Sequence, residues 1–208
     1  MNPNEFPTKG NLILAKNSLS LARQGYELMD KKRNILIREL MQLIDQANDI
    51  QSRIDSTFTD AYRALQTANI RMGLHNVAEN ARAVPVETSI RVKTRSIMGT
   101  EIPLVEYDET PLKPTYGFYS TTEALDEARL KFEEVKKLTL QLSMVENSAY
   151  RLASAIKKTQ KRANALKNIT IPNYEALTKT ISEALEEKDR EEFTRLKVIK
   201  QMKLRKEA

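Results

Sequence analysis

One apolar seam runs from Leu12 to Met72, and it restricts the possible fold more than any other feature of the chain. Its members follow at steps of three or four residues, with one repeated step of four between Ile54 and Phe58. This spacing is typical of an α-helix that packs along its whole length against another helix. At a rise of 1.5 Å per residue, such a helix would be on the order of 90 Å long. The seam consists of Leu12, Ala15, Leu19, Ala22, Tyr26, Met29, Arg33, Leu36, Leu40, Leu43, Ala47, Ile50, Ile54, Phe58, Ala61, Leu65, Ala68 and Met72.

Glycine and proline are almost absent from two long stretches, and this divides the chain into three parts. Between Asn11 and Met72 the only such residue is Gly25, and after Phe118 it is Pro172. Glycine and proline interrupt regular structure, and those between Met72 and Phe118 therefore mark an irregular middle segment. We therefore predict a first long helix in residues 1–73, a middle head in residues 74–119 and a second long helix in residues 120–208.

The second predicted helix carries an apolar seam of the same kind. Ser120 and Glu123 have the spacing of a capping box, with Ser120 as the N-cap and Glu123 at the third helical position. Pro172 removes one intrahelical hydrogen bond, so we expect a kink near this residue. The seam contains Leu125, Ala128, Phe132, Val135, Leu138, Leu142, Val145, Ala149, Leu152, Ile156, Thr159, Ala163 and Leu166, then Tyr174, Leu177, Ile181, Ala184, Phe193, Leu196 and Ile199.

The middle segment has the pattern of a β-hairpin at about residues 88–107. Residues 89–97 and 101–107 alternate and are rich in β-branched side chains, and Met98, Gly99 and Thr100 lie between them. Gly99 can adopt the positive φ that a tight turn requires. Pro103 cannot donate a ladder hydrogen bond, so its amide position should face away from the partner strand.

Each long helix has an apolar seam whose exposure to water would be unfavourable. We therefore predict that the two helices pair through their seams. A compact middle segment makes this pairing antiparallel. The predicted fold is therefore dominated by α-helix: two long helices in an antiparallel left-handed coiled coil, with a small central head that contains a β-hairpin. The second helix is the longer one, so its basic C-terminal end should extend beyond the first as a single helix.

Residues with catalytic or metal-binding chemistry are scarce in the sequence. The chain of 208 residues has no cysteine and one histidine, His75, and it contains no glycine-rich phosphate-binding loop. We therefore predict no catalytic residue, no metal site and no cofactor. No apolar stretch approaches the 18 residues of a membrane span, and the absence of cysteine fits a reducing compartment, so the predicted location is the cytoplasm.

Two positions in the first helix have both a structural and a functional interpretation. Arg33 is the only charged member of its seam, so it either extends its head towards water or a carboxylate on the partner helix, or fixes the register. Gly25 is either a tolerated weakness, costing roughly 1 kcal/mol against alanine, or a point of close backbone approach.

The C-terminal end is strongly basic in a chain of net charge +6. Such an end could bind nucleic acid or an anionic membrane, or it could be an ordinary helix terminus whose dipole favours cations. Aromatic residues do not alternate with the cations, which weakens the nucleic-acid interpretation. The cations are Arg195, Lys197, Lys200, Lys203, Arg205 and Lys206.

Several stretches of the sequence closely resemble the D subunit of V-type (archaeal/vacuolar-type) ATP synthases. The similarity spans both long helices and the hairpin, and its most specific part is the Asn-Ala-Leu stretch with a downstream Ile-Pro. Departures such as Asp30 and Lys167 change charge on the helix surface only. The matching stretches are Pro7–Leu12, Leu21–Arg33, Ile97–Gly99, Lys158–Leu166, Ile171–Pro172 and Arg190–Lys197.

This resemblance implies a set of functional residues on the helices and in the hairpin turn. The helix residues that match the family motifs are Thr8, Gly25, Arg33, Arg162, Asn164, Ala165, Leu166, Pro172, Arg195 and Leu196. The turn residues that match are Met98 and Gly99.

The resemblance also implies a non-catalytic central stalk, the rotor shaft that couples ATP hydrolysis or synthesis to ion translocation. Its implied partners are the catalytic A and regulatory B subunits of a ring, the small F subunit of the stalk, and a funnel-shaped subunit above the membrane rotor ring. No direct nucleotide or nucleic-acid binding is implied, and contact with the membrane is indirect.

Two other interpretations of the residues remain open at this point. A coiled-coil tether or adaptor would explain the paired helices without the motif matches. A basic helical nucleic-acid-binding protein would explain the net charge. Binding to A and B subunits would separate the rotor interpretation from both.

Overall fold

The computed structural model describes residues 6–86, 88–107, 113, 115–119 and 121–207. The chain forms two compact units: Met1–Arg33 with Lys157–Ala208, and Asn34–Ile156. Along the chain the elements are α1 (Lys9–Met72), α2 (Leu74–Arg82), β1 (Arg91–Ile97), β2 (Thr100–Glu106), α3 (Glu123–Ala165), a π-helical segment (Leu166–Thr170) and α4 (Ile171–Glu207). The predicted division into residues 1–73, 74–119 and 120–208 is a separate description of the chain and stays a prediction.

In the first unit the beginning of α1 lies antiparallel to α4. The Arg23 guanidinium lies 2.7 Å from the Glu175 carboxylate, and the Lys188 ammonium donates to the Pro7 carbonyl at 3.5 Å. Partner numbers rise along α4 as they fall along α1, which defines the antiparallel direction. The seam residue Ile181 is 1% exposed, so apolar burial supplies the stability of this pair.

In the second unit the remainder of α1 lies antiparallel to α3. Arg71 pairs with Glu123 at 3.0 Å, and the rings of Tyr62 and Phe132 meet edge to face at 5.5 Å. The short helix α2 places Val77 against the core formed by Ala68, Ala124 and Leu125.

The first seam is covered along its whole length. All of its members from Leu12 to Met72 are buried or half-buried, including Arg33. In the second seam the same holds from Leu125 to Ala184, whereas Phe193, Leu196 and Ile199 are exposed. The predicted fold class of two packed long helices with a two-stranded antiparallel hairpin between them is confirmed.

The hairpin is closed by a two-residue turn at Met98 and Gly99. Both have positive φ, +50° for Met98 and +75° for Gly99, which is the pattern of a type I′ turn. Ile97 pairs directly with Thr100, so Thr100 belongs to β2 and not to the loop as predicted. The positive φ of Gly99 was expected, whereas that of Met98 gave no signal in the sequence.

Met98 is a strained residue for this turn, because a side chain with a Cβ atom is disfavoured at positive φ. Replacing Met98 with Asn should stabilise the chain by about 0.5–1 kcal/mol, since asparagine accepts this conformation in type I′ turns. Gly99→Ala should destabilise it by about 1 kcal/mol. Urea unfolding monitored by circular dichroism measures both values, and a Met98→Asn variant less stable than the parent would contradict this account.

The hairpin packs against the paired helices of its own unit. Ile102 is 7% exposed and lies in one apolar cluster with Leu36 and Leu152, both 0% exposed. Because Ile97 joins the same cluster, both strands contribute to this packing.

The free edge of β2 faces α3. The Val105 N–H contacts the Met144 sulfur at 3.5 Å, and Arg151 donates to the Glu101 carbonyl at 3.3 Å. Ser148 Oγ donates to the Met144 carbonyl of its own helix at 2.7 Å and lies 3.5 Å from the Pro103 carbonyl. Pro103 therefore turns its amide position away from β1, as expected for a residue without an N–H.

The start of α3 differs from the predicted capping box. The helix begins at Glu123, so Glu123 is the first helical residue and not the third. The Leu125 N–H donates to the Thr122 carbonyl at 2.9 Å, so Thr122 precedes the first turn. Ser120, the predicted N-cap, lies outside the described residues.

Pro172 is the second residue of α4, and the π-helical segment ends two residues earlier, at Thr170. A proline has no N–H and clashes with the carbonyl four residues earlier, so a local switch from i→i+4 to i→i+5 bonding is a common way to accommodate it. Thr170 Oγ1 donates to the Ala165 carbonyl, five residues back, at 3.4 Å. The sequence located the irregularity, and the structure gives its form as a π-helical turn.

Candidate functional site

The candidate functional positions are helix surfaces, interhelical contacts and a hairpin turn among the described residues. Within them no three His, Cys, Asp or Glu side chains are grouped to hold a metal ion. None of the helices in the described part of the chain is long and apolar enough to cross a membrane. The residues that the sequence singled out lie at the N-cap of α1, along the long helices and in the hairpin turn.

Arg33 is the centre of a polar network between α1 and α3 in the first unit. Its guanidinium donates to Gln160 Oε1 at 2.9 Å and lies 2.6 Å from the carboxylate of Asp30. Gln160 in turn donates from Nε2 to Asn164 Oδ1 at 2.7 Å. The network therefore joins two residues, Arg33 and Asn164, from separate stretches of the sequence.

The geometry of Arg33 favours a role in fixing the register. Its side chain is 25% exposed, so sliding one helix along the other would leave a partly desolvated guanidinium without its amide partner. The carboxylate beside the guanidinium comes from Asp30 on the same helix, and the partner helix supplies the Gln160 side-chain amide.

A double-mutant cycle between Arg33→Ala and Gln160→Ala should give a coupling free energy of about 0.5–1.5 kcal/mol, the usual value of a partly buried hydrogen bond. The exposed Arg23–Glu175 pair is the matched control, because it also joins two helices. Its coupling should be about 0.5 kcal/mol or less. Equal coupling in the two cycles, measured by urea unfolding, would contradict a special role for Arg33.

Gly25 and Leu166 come from different motif stretches and meet in the first unit. A Cβ atom built on Gly25 would lie 3.7 Å from Leu166 Cδ1, which is an ordinary van der Waals distance. Close backbone approach is therefore not the reason for this glycine. Beside it, the Lys167 ammonium lies 5.9 Å from the centroid of the Tyr26 ring, within the range of a cation–π contact.

Thr8 is the N-cap of α1. Its Oγ1 accepts a hydrogen bond from the Asn11 N–H at 3.2 Å, and its carbonyl accepts one from the Leu12 N–H at 3.0 Å. A threonine in this place satisfies an amide that the first helical turn leaves without a partner. The structure thus assigns the motif residue Thr8 a role in starting the helix.

The C-terminal part of α4 is exposed on all sides. Every described side chain from residue 186 onwards is exposed, including Leu196 at 65% and Phe193 at 69%. Arg195 pairs with Glu191 on its own helix at 3.6 Å. This segment lies beyond the contact between Lys188 and Pro7, so it extends past the start of α1 as predicted.

Tyr116, in the second unit, belongs to a cluster that the sequence did not reveal. Its hydroxyl donates to Asp126 Oδ1 at 2.6 Å, and the Arg129 guanidinium lies 5.4 Å from its ring centroid. Burial, and then the hydrogen bond to Asp126, raise the pKa of Tyr116. The spacing of Asp126 and Arg129 on one helical face was the available signal, but nothing local places Tyr116 against them.

The structure brings some of the predicted residues together and leaves others apart. Arg33 joins Asn164 through Gln160, and Gly25 meets Leu166. Arg162, Ala165 and Pro172 are exposed, and Met98 and Gly99 form the hairpin turn of the second unit. These residues therefore lie on a paired-helix segment and an exposed helix end in the first unit, and on a hairpin turn in the second.

The family of the chain follows from comparison with known proteins. A family model for the D subunit of ATP synthase matches residues 11–201, nearly the whole chain. The chain belongs to this family of ATP synthase D subunits, whose members come from both V-type and A-type enzymes.

Individual relatives agree with this family over almost their full length. The D subunit of the V-type ATP synthase of Thermotoga neapolitana is 43% identical over 195 residues, covering 94% of this chain and 96% of the relative. The D subunit of the A-type enzyme of Pyrococcus furiosus is 38% identical over 197 residues, covering 93% and 92%. That of Methanobrevibacter smithii is 35% identical over 197 residues, covering 93% and 85%.

Proposed function

We propose that this chain is the non-catalytic central shaft of a V/A-type ATP synthase and couples ATP turnover in a catalytic ring to ion translocation by rotation. The observation that carries the proposal is the end of α4, where the seam stops being covered after Ala184 while the helix continues to Glu207. Exposing Phe193, Leu196 and Ile199 to water does not stabilise an isolated helix. Exposed apolar side chains of this kind mark a surface that another protein covers.

The chemistry of this exposed end suits insertion into the bore of a protein ring. Apolar side chains at 193, 196, 199 and 202 have exposures between 51% and 69%. Because the helical repeat is 3.6 residues, positions three residues apart wind around the helix and present apolar groups on more than one face. Basic residues lie between them, so a bore with apolar and acidic groups would complement the segment. In this proposal the A and B subunits supply that bore, and Arg195 and Leu196 contact it.

Coupling by a shaft requires that its surface make different contacts with each catalytic subunit of the ring. A ligand or partner shifts a conformational equilibrium only through differential free energy of contact with the two states. Paired helices resist bending better than a single helix because each restrains the bending of the other. The Arg33 network and the Gly25–Leu166 contact would hold their register under that load.

The remaining partners would bind outside the ring. We assign the small F subunit to the helices near the hairpin and the funnel-shaped subunit to the end that carries α2. The shaft would then lie on the cytoplasmic side, attached to the membrane only through these partners.

Co-purification tests this assembly directly. The full chain, carrying an affinity tag, should retain a complex of A and B subunits, and should bind the small F subunit when the two are co-expressed. An adaptor outside the ATP synthase would bind neither. Salt-sensitive binding to DNA or RNA without retention of A and B would overturn the proposal in favour of a nucleic-acid-binding protein.

A further inference from the structure

The outer edge of β1 presents a row of backbone hydrogen-bonding groups that the hairpin ladder does not use. In the antiparallel register, Ile97 pairs with Thr100 beside the two-residue turn, and Arg95 pairs with Ile102. Residues that exchange hydrogen bonds alternate with residues whose groups point outwards. In β2 the residues whose backbone groups point outwards are Glu101, Pro103 and Val105, and these contact α3. In β1 the residues whose backbone groups point outwards are Val92, Thr94 and Ser96.

The two edges of the hairpin differ in their contacts, because the edge of β2 packs against α3 whereas most residues of β1 are exposed. Within residues 88–107 and the rest of the described chain, the sheet has two strands, so β1 has a strand neighbour on one side only. Six of its seven residues are exposed, and Val92 is 67% exposed. A seven-residue edge of this kind is long enough to accept a further strand.

The side chains of β1 define the charge of the strand that would fit. Arg91, Lys93 and Arg95 lie on the same face at alternate positions, while Glu106 of β2 lies within 2.8 Å of Lys93. A neighbouring strand with Asp or Glu at alternate positions would place carboxylates beside these cations. The exposed Val92 on the opposite face favours an apolar residue between them.

We infer that the outer edge of β1 binds an extended acidic segment of a partner protein by strand addition, which extends the hairpin to three strands. The backbone groups of Val92, Thr94 and Ser96 supply affinity, and the cations supply selectivity for acidic side chains. Strand addition requires only a partner protein and is independent of rotation.

A second copy of this chain fits the edge poorly. Antiparallel self-pairing centred on Thr94 would place Lys93 of one copy opposite Arg95 of the other, twice in each pair. Like charges directly opposite each other are destabilising. The cations therefore disfavour self-association of the edge, as charged residues do on many exposed strands, and they favour an acidic partner.

Thr94→Pro tests the strand addition without disturbing the hairpin. The Thr94 N–H points outwards, and its cross-strand neighbour is Pro103, which shows that the ladder tolerates proline in this register. The variant removes one outward donor from the centre of the edge. Thr94→Val is the matched control, because it keeps the N–H and a β-branched side chain.

Hydrogen exchange by mass spectrometry gives the readout, in the isolated full chain and in the ATP synthase complex purified with it. The amides of Val92, Thr94 and Ser96 should exchange at least about tenfold more slowly in the complex, whereas those of Lys93 and Arg95 should be protected in both. Thr94→Pro should abolish the added protection of Val92 and Ser96, and Thr94→Val should keep it. Equal exchange in the two states would overturn the inference, as would protection that survives Thr94→Pro.

Charge reversal provides an independent arm that leaves the backbone intact. Arg95→Glu should reduce the added protection at least about tenfold, while Arg95→Gln should reduce it less. Equal effects of the two variants would exclude an acidic partner strand. Protection that arises in the isolated chain at high concentration and disappears on dilution would show self-association and would also overturn the inference.

Discussion

Deleting residues 193–208 should leave the paired helices folded and strongly reduce ATP-driven ion transport by the reconstituted complex. The described side chains of this segment are exposed, so their loss should change the free energy of unfolding by less than about 1 kcal/mol. The same segment carries the apolar surface that we assign to the bore of the ring. Its removal should lower coupled transport at least about tenfold, the equivalent of roughly 1.4 kcal/mol of lost coupling.

Transport into vesicles and thermal unfolding of the isolated chain measure the two effects separately. Leu196→Ser combined with Ile199→Ser keeps the length of the helix and removes two apolar contacts, so it should lower transport without changing helix content. Lys197→Gln is a control for charge at the same level of the helix. Undiminished assembly and transport after the deletion would exclude a role of this end in the ring.

Leu152→Ala should strongly destabilise the second unit, with an expected loss of about 2–5 kcal/mol in the free energy of unfolding. Leu152 is 0% exposed and packs with Leu36 and Ile102, so its removal leaves a cavity between two helices and the hairpin. The loss should also weaken the attachment of the hairpin.

Leu130→Ala is the matched control for this cavity, because Leu130 lies on the same helix and is 59% exposed. It should change stability by less than about 0.5 kcal/mol. Urea unfolding gives both values, and faster hydrogen exchange of the β2 amides in Leu152→Ala would report the loosened hairpin. Similar losses in the two variants would contradict the assigned core.

The helices and their pairing were predictable because apolar periodicity is a property of the sequence itself. Every position of the first seam is at least half-buried, and even the charged Arg33 keeps its place in the row. The hairpin was predictable for the same reason, since alternation and Gly99 are local signals. The positive φ of Met98 was not predicted, because no local preference of methionine indicates it, and Thr100 was assigned to the loop although it belongs to β2.

Contacts between distant residues were not predictable from the patterns. The partner of Arg33 depends on which residue of α3 lies opposite, so periodicity could indicate a polar contact but not Gln160. The hairpin packs against Leu36 and Leu152, which are distant from it in the sequence, so its position depends on the tertiary fold and not on a local pattern. The Tyr116–Asp126 hydrogen bond needs the same information, because Tyr116 lies outside any regular element.

Direct observation of rotation tests the central-shaft proposal most directly. The chain contains no cysteine, so Tyr119→Cys, at a fully exposed position, provides a unique site for a bead on the shaft. With the catalytic ring immobilised, added ATP should drive the bead in one direction, and omission of ATP should stop it. A bead that stays fixed while the same complexes hydrolyse ATP would contradict the proposal that this chain is the rotating shaft.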